Sequence, residues 1–172
     1  MRKAFFITIV AVLPVLAVAG YATANDRSDL AELRQATVAY HDIEVAKAEF
    51  PDAFELPQVA PFGTGTCIEN LSGPGAMGIH LLIPSRVDGN LVLTEPEAFL
   101  YEKRNDGTYK LTGFEYVVAG GPRPTLFGKE FDSTNLVRYG NPAATVWTLH
   151  AWVWKGNPAG TLEAWNPTVS CD

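Results

Sequence analysis

The sequence predicts an α+β fold, in which one N-terminal helix packs on a mostly antiparallel β-sheet or barrel. Two observations favour this fold class. Helical spacing of apolar residues is confined to the region before Pro51, and the rest of the chain alternates short apolar or aromatic runs with turn residues. Such a succession of short strands is typical of an antiparallel sheet that curls into a barrel or packs as a sandwich.

The predicted helix begins at Ser28 or Asp29 and ends near Phe50. Asp29 and Glu32 have the spacing of a capping box, and Pro51 cannot continue a helix. At about 100° of rotation per residue, one face carries a mainly apolar set: Leu30, Leu33, Ala36, Thr37, Tyr40 and Ala48. We expect this face to pack on the sheet.

The strongest strand signal is a β-hairpin in the middle of the chain. Residues 98–103 and 108–118 carry apolar and aromatic side chains, and they flank the turn sequence Asn105-Asp106-Gly107. Asp-Gly between two such runs is a strong hairpin signal, because glycine adopts the positive φ that tight turns need.

Three further strands are predicted around this hairpin. Residues 77–83 precede it, and residues 126–131 resume the pattern briefly after it. Residues 147–154 are rich in tryptophan and β-branched residues, which favour strands. A turn at Asn141-Pro142 is expected to separate this last strand from what precedes it.

The first 24 residues predict a secretory signal peptide. A basic start at Arg2 and Lys3 precedes an apolar run over residues 4–20, and Ala22-Thr23-Ala24 supplies the small residues of a cleavage site before Asn25. The alternative is an uncleaved anchor, because the apolar run approaches the length of a short membrane span. With cleavage, residues 25–172 form a single exported domain that is secreted or periplasmic.

The charge of the chain argues against two classes of partner. The 172 residues include 13 basic and 19 acidic side chains, and cleavage would take away Arg2 and Lys3 and leave a net charge of −8. This excess of negative charge opposes binding to nucleic acid and to anionic lipid surfaces. No later segment is apolar enough to span a membrane, so we expect no stable membrane insertion after cleavage.

The two cysteines, Cys67 and Cys171, predict a disulfide, because exported proteins meet an oxidising environment. A closed loop of about 100 residues would contribute roughly 4 to 5 kcal/mol in the chain-entropy model, as an upper figure. A copper–thiolate site is the less favoured alternative, because only Asp172 follows Cys171 and no histidine or methionine can complete a blue-copper loop.

The three histidines of the chain and two glutamates occupy apolar settings. His41 and Glu44 are neighbours on the predicted helix, with Glu44 inside its apolar stripe. His80 lies in a predicted strand beside Gly78, which leaves room for a close approach to the backbone. Glu115 interrupts an apolar face of the hairpin, and His150 lies among tryptophans.

A set of two or three imidazoles and one carboxylate suits zinc, copper, nickel or non-haem iron. We therefore predict that His150 points into the sheet's concave side towards His80, with Glu115 or the His41/Glu44 pair completing a polar cluster. The alternative is that each histidine is a hydrogen-bonded core residue and that Glu44 is exposed on a narrower helical stripe.

The aromatic residues allow a second kind of site. With period 2, Thr148, His150, Trp152 and Trp154 share one face of the last strand. A pocket for a flat or apolar small molecule, with a haem as one form of it, is predicted from these positions, and its lining would be Met77, Tyr116, Trp152 and Trp154. The alternative is that these rings fill the core.

Catalytic motifs are missing from the sequence. It contains no H-E-x-x-H, no G-x-S-x-G and no phosphate-binding or dinucleotide-binding glycine pattern. No catalytic residue is assigned, and whether the protein is an enzyme stays open. The sequence predicts an exported domain that binds a metal ion or small ligand through a buried His/Glu cluster. The alternative is a non-enzymatic binding or structural module of the cell envelope, with no metal.

From about Thr37 to Cys171 the chain resembles a group of small exported bacterial proteins without an assigned activity. The segments that carry the resemblance are YHDIEVAKAEF, GAMGIH, GFEYVV, LFGKEF, LHAWVWKGNPAGTLEAWNP and the closing SC. The resemblance implies a stand-alone exported domain and supplies no catalytic residues.

Overall fold

The computed structural model describes residues 24–58, 65–136 and 141–171. The predicted signal peptide, apart from Ala24, lies outside these residues. Within the three described ranges, no helix combines the length and the apolar character that crossing a membrane requires.

Residues 24–58 contain two α-helices rather than the one continuous helix predicted. Helix α1 spans Ala24–Ala36, a turn of 3-10 helix spans Val38–His41, and α2 spans Ile43–Glu49. The break has a local cause. The Thr37 hydroxyl donates to the Leu33 carbonyl at 2.6 Å, and the Asp42 side chain accepts from the Glu44 backbone N–H at 3.0 Å. Asp42 thereby caps the start of a new helix.

The break at residues 37–42 changes which side chains face the sheet. Among the described side chains of this region, the buried ones are Leu33, Thr37, Tyr40, Ile43 and Ala46. Ala36 and Ala48, which a continuous helix would turn inwards, are exposed.

In the described ranges, seven strands form one antiparallel sheet: β1 (Phe54–Glu55), β2 (Cys67–Glu69), β3 (Ala76–Leu82), β4 (Ala98–Lys103), β5 (Tyr109–Ala119), β8 (Asp132–Leu136) and β9 (Asn141–Ala151). Their order is β1-β3-β4-β5-β9-β8, and β2 also pairs with β3. Strands β6 (Thr125–Leu126) and β7 (Lys129–Glu130) form a separate small hairpin. Among the described strands no pairing joins β8 to β1 or β2. The α+β class with an antiparallel sheet is confirmed, and a closed barrel is not shown.

The central hairpin is confirmed. Strands β4 and β5 flank the predicted turn, in which Gly107 has a φ of 84°. The Arg104 N–H donates to the Thr108 carbonyl at 2.8 Å, and the Asp106 side chain accepts from the Thr108 N–H at 2.9 Å. Local turn chemistry accounts for the register next to the turn, and an irregularity between Leu100 and Tyr101 shifts it further along the strands.

The last strand differs from its prediction at both ends. Strand β9 already contains Asn141 and Pro142, because proline is tolerated near the start of a strand. It ends at Ala151. After this residue the backbone N–H of Trp152 donates to the Thr161 carbonyl, and the backbone N–H of Trp154 donates to the Thr112 carbonyl. The strand β8 was not predicted, because its sequence DSTNL is polar and only its pairing with β9 makes it a strand.

Two apolar cores lie on opposite faces of the sheet, because successive side chains of a strand point to opposite faces. One face of the sheet carries the main core, including Phe99, Tyr101, Phe114 and Tyr116, and packs beneath the helices. The Tyr101 hydroxyl, for example, donates to the Tyr40 carbonyl at 2.7 Å. The other face carries a smaller cluster made of Ala76, Leu100, Trp152 and Val169.

The C-terminal segment lies on this second face and is held there by three kinds of contact. The backbones of Asn166 and Ala76 form an antiparallel bridge, and the Lys155 ammonium pairs with the Glu102 carboxylate at 2.7 Å. The predicted disulfide between Cys67 and Cys171 is confirmed, with Cα atoms 5.6 Å apart. It ties the end of the chain to β2.

Candidate metal centre

Three side chains from three strands converge on the second face of the sheet. His80 comes from β3, Glu115 from β5 and His150 from β9. Glu115 and His150 are direct cross-strand partners. His80 lies two strands away from Glu115, across β4, where Ala98 pairs with Glu115.

The donor atoms of the three side chains point towards one another. Nε2 of His80 is 3.3 Å from one Glu115 oxygen, and Nε2 of His150 is 3.8 Å from the other. One ligand atom from each residue lies within 4.8 Å of the other two. Donors that share one ion at about 2 Å are roughly 3 to 4 Å apart, so modest side-chain rotation would complete a metal-binding geometry.

The site is shielded from water, which keeps the His150 imidazole uncharged. The side chains of His80 and His150 are 1% exposed, and that of Glu115 is 12% exposed. Burial lowers the pKa of His150 well below its ordinary value, and the neighbouring His80 and the charge of Lys129 lower it further. A neutral imidazole has the free lone pair that a metal needs.

His150 has an unmet hydrogen-bonding requirement. Neither of its ring nitrogens has a hydrogen-bond partner in the part of the chain that the structure describes. Its ring stacks on Trp152 instead, with centroids 6.1 Å apart and planes 19° from parallel. Buried polar atoms are normally satisfied, and leaving one unsatisfied costs about 1 to 3 kcal/mol.

Glu115 is a carboxyl group whose ionisation is suppressed by its surroundings. Burial raises the pKa of Glu115 to about 8, and the nearby Glu97 carboxylate raises it further, while a hydrogen bond from Thr148 partly opposes both effects. Glu115 is therefore mostly protonated at neutral pH in the metal-free protein, and a metal ion must displace that proton to bind.

The other predicted ligands, His41 and Glu44, are not members of this group of described residues. The His41 ring is exposed and contacts the Trp154 ring, with centroids 4.2 Å apart. The Glu44 side chain is 75% exposed and pairs with Lys47 at 3.5 Å. Glu44 lies outside the group because the helix is broken: α2 begins after the Asp42 cap, and Glu44 in its first turn faces solvent.

The structure does not bring the four predicted pocket residues together. Tyr116 pairs with Leu149 on the main-core face, whereas Trp152 packs in the cluster on the opposite face. Trp154 lies beyond the end of β9, under the Arg34 guanidinium at 4.8 Å. Met77 is partly buried in β3. The alternation of faces in a strand and the end of β9 at Ala151 account for this separation.

Gly78 has a different role from the one expected. Its φ is 83°, and a Cβ atom there would lie 2.6 Å from the Tyr101 carbonyl oxygen. The space beside His80 is therefore occupied by the backbone of β4. This close approach helps to fix the position of β3, and with it His80.

A buried acid that the sequence pattern did not indicate lies near Glu115. Glu97 is fully buried, and its carboxylate accepts from the Val117 N–H at 2.9 Å. Burial raises the pKa of Glu97 to about 7. The only sequence signal is its position between Pro96 and the apolar residues 98–101.

Comparisons of the chain with protein-family models, with curated proteins and with solved structures found no match. The resemblance to small exported bacterial proteins stays a prediction.

Proposed function

We propose that this protein binds a divalent transition-metal ion through His80, Glu115 and His150. The observation that carries the proposal is the convergence of one carboxylate and two imidazoles, from three different strands, in a buried site. Two histidines and one carboxylate form a donor set typical of zinc and non-haem iron, and copper also accepts imidazole ligands.

Burial supports a metal site more strongly than it supports a purely structural cluster. His150 has both ring nitrogens buried without hydrogen bonds to described residues, and the Glu115 carboxyl is buried at a free-energy cost that its raised pKa reflects. A metal ion would bind the imidazole lone pairs and compensate the carboxylate charge. It would therefore offset the unfavourable terms that the metal-free site contains.

The donor count also bears on what the ion would do. Three protein ligands leave at least one coordination position for water or a small ligand, whereas structural zinc sites are closed by four protein ligands. We infer that the ion contacts a small molecule or water. We also infer an extracytoplasmic location, which the disulfide supports because such bonds persist in oxidising compartments.

Metal analysis tests the proposal directly. Purified protein would be stripped with a chelator and titrated with Zn²⁺, Cu²⁺ and, without oxygen, Fe²⁺, while heat of binding and bound metal per chain are measured. We expect one ion per chain for at least one of these metals. His80→Ala and His150→Ala should abolish binding.

His41→Ala is the matched control, because His41 is an exposed histidine outside the group. It should bind metal like the unsubstituted protein. Binding that survives in both His80→Ala and His150→Ala would contradict the proposal. A protein that binds none of the three metals would favour the alternative of a metal-free envelope module.

A further inference from the structure

We propose that Trp152 is a positioning residue of this site, whose indole ring holds the His150 imidazole in the orientation that presents Nε2 towards Glu115. This inference rests on the proposed metal-binding function. It concerns a side chain that contacts a ligand of the ion and not the ion itself.

The His150 ring lacks the usual means of orientation. A histidine that binds a metal through one ring nitrogen usually donates a hydrogen bond from the other nitrogen to a carboxylate or carbonyl, which fixes the ring. Nε2 of His150 is 3.8 Å from a Glu115 oxygen, and Nδ1 has no hydrogen-bond partner among the described residues. Because the terminal torsion of a histidine is soft, a different contact has to set the orientation of this ring.

Two neighbouring rings supply that contact. The Trp152 indole lies nearly parallel to the His150 imidazole, with centroids 6.1 Å apart and planes 19° from parallel. The His80 ring meets the same imidazole at an interplanar angle of 83°, with centroids 5.8 Å apart. Both distances are within the range of attractive aromatic pairs. His80 is itself a proposed ligand, so Trp152 is the support that comes from outside the ligand set.

The indole ring is itself held in place. Trp152 is 3% exposed and packs in the apolar cluster on the second face of the sheet. Its Nε1–H donates to the Glu163 carbonyl at 2.6 Å, and its backbone N–H donates to the Thr161 carbonyl at 2.9 Å. A flat surface fixed at both its backbone and its ring restrains the imidazole before the ion arrives.

Metal binding should strengthen the contact between the two rings. The face of an aromatic ring carries partial negative charge and attracts electron-poor groups. An imidazole that shares its lone pair with a divalent ion is more electron-poor than a free one. The indole therefore stabilises the metal-loaded site more than the empty one, and its removal should lower metal affinity in addition to any effect on the fold.

The chain offers a matched control in Trp147. This tryptophan also donates its Nε1–H to a backbone carbonyl, that of Gly121, at 3.2 Å, but it packs against the main core on the opposite face of the sheet. Trp147→Leu therefore removes an indole that is remote from the site. Trp152→Leu removes the flat ring and keeps an apolar side chain, and Trp152→Phe keeps a flat ring without the hydrogen bond to Glu163.

The experiment measures the Zn²⁺ affinity of the full protein and of these three variants, together with the visible absorption of bound Co²⁺, which depends on coordination geometry. We expect Trp152→Leu to weaken Zn²⁺ binding by about 10-fold or more, as is typical when the support of a metal ligand is removed, and to change the Co²⁺ spectrum. Trp152→Phe should retain most of the affinity and the parent spectrum. Trp147→Leu should lower the melting temperature and leave both metal readouts unchanged.

Four results would overturn the inference. Unchanged Zn²⁺ affinity and an unchanged Co²⁺ spectrum in Trp152→Leu would remove the positioning role and leave metal binding intact. An equal loss of affinity in Trp147→Leu would assign the effect to general destabilisation, and an equal loss in Trp152→Phe would assign it to the hydrogen bond with Glu163 and not to the ring. Absence of Zn²⁺ and Co²⁺ binding in the unsubstituted protein would reject the site itself and this inference with it. If Trp152→Leu does not fold, Trp152→Met, which fills more of the space, makes the same decision when compared with Trp152→Phe.

Discussion

Replacement of Glu115 by glutamine should have opposite consequences in the absence and in the presence of metal. The amide has nearly the same shape as the carboxyl group but does not ionise. In the metal-free protein, Glu115→Gln removes a buried acid, and burial raises the pKa of this acid from 4.5 to about 8. In the metal-bound protein, it removes the negatively charged ligand.

The sign of the metal-free effect follows from the raised pKa. Between pH 4.5 and about 8, Glu115 is ionised in the unfolded chain and protonated in the folded one. Its contribution to stability is therefore fully present below pH 4.5 and is lost as the pH rises through 8. Because one pH unit corresponds to about 1.4 kcal/mol, the loss at pH 9 is at most about 5 kcal/mol, and glutamine avoids it.

Urea unfolding at pH 5, 7 and 9 with a chelator measures this effect. We expect the stability advantage of Glu115→Gln over the unsubstituted protein to grow with pH and to level off near pH 9. A saturating excess of Zn²⁺, about 100 times its dissociation constant, should then stabilise the unsubstituted protein by about 3 kcal/mol. Glu115→Gln should gain much less from Zn²⁺.

Glu69→Gln, an exposed acid on β2, provides the control and should change neither measurement. A pH-independent difference between Glu115→Gln and the unsubstituted protein would refute the account of Glu115 as a buried protonated acid. Equal stabilisation of both proteins by Zn²⁺ would refute its role as a ligand.

Three other predictions follow from the same structure. Zn²⁺ binding should release about one proton from Glu115 at pH 7 and almost none at pH 9, because the pKa of Glu115 is about 8 in the metal-free protein. Calorimetry in two buffers of different ionisation enthalpy counts the protons released from Glu115. Equal release from Glu115 at both pH values would count against this prediction. Cys171→Ser should lower the free energy of unfolding by up to roughly 5 kcal/mol, and thiol titration of the denatured, unreduced parent protein should find no free thiol. Gly78→Ala should lower the free energy of unfolding by several kcal/mol and weaken metal binding. Gly107 has a similar φ but no atom within 4 Å of an added Cβ, so Gly107→Ala should lower the free energy of unfolding by about 1 kcal/mol. Similar losses for the two variants would argue against backbone contact at Gly78.

Several features could be predicted from the sequence because their causes are local. The hairpin between β4 and β5 follows from the Asp-Gly turn and the runs on either side of it. The burial of His80, Glu115 and His150 could be expected because each interrupts an otherwise apolar run. The disulfide needed only two cysteines in a chain predicted to be exported.

The tertiary structure decided which of these polar side chains meet. Period-2 alternation tells which face a side chain occupies, but the neighbours of a strand depend on pairings between residues far apart in sequence. The pairing of Glu115 with His150 and the 3.3 Å approach of His80 to Glu115 are such long-range facts. The burial of Glu97, which lies just before β4 begins, is of the same kind.

The helical region shows how a small local choice has a long-range result. A continuous helix and a broken one differ by only a few hydrogen bonds around Thr37 and Asp42, yet the broken form excludes His41 and Glu44 from the site. The sequence by itself therefore determined the class of fold, the cysteine pair and a short set of possible ligands. Only the packed structure selected three of them, because convergence depends on strand order and helix phase, which are set by the burial of the whole core and not by any one segment.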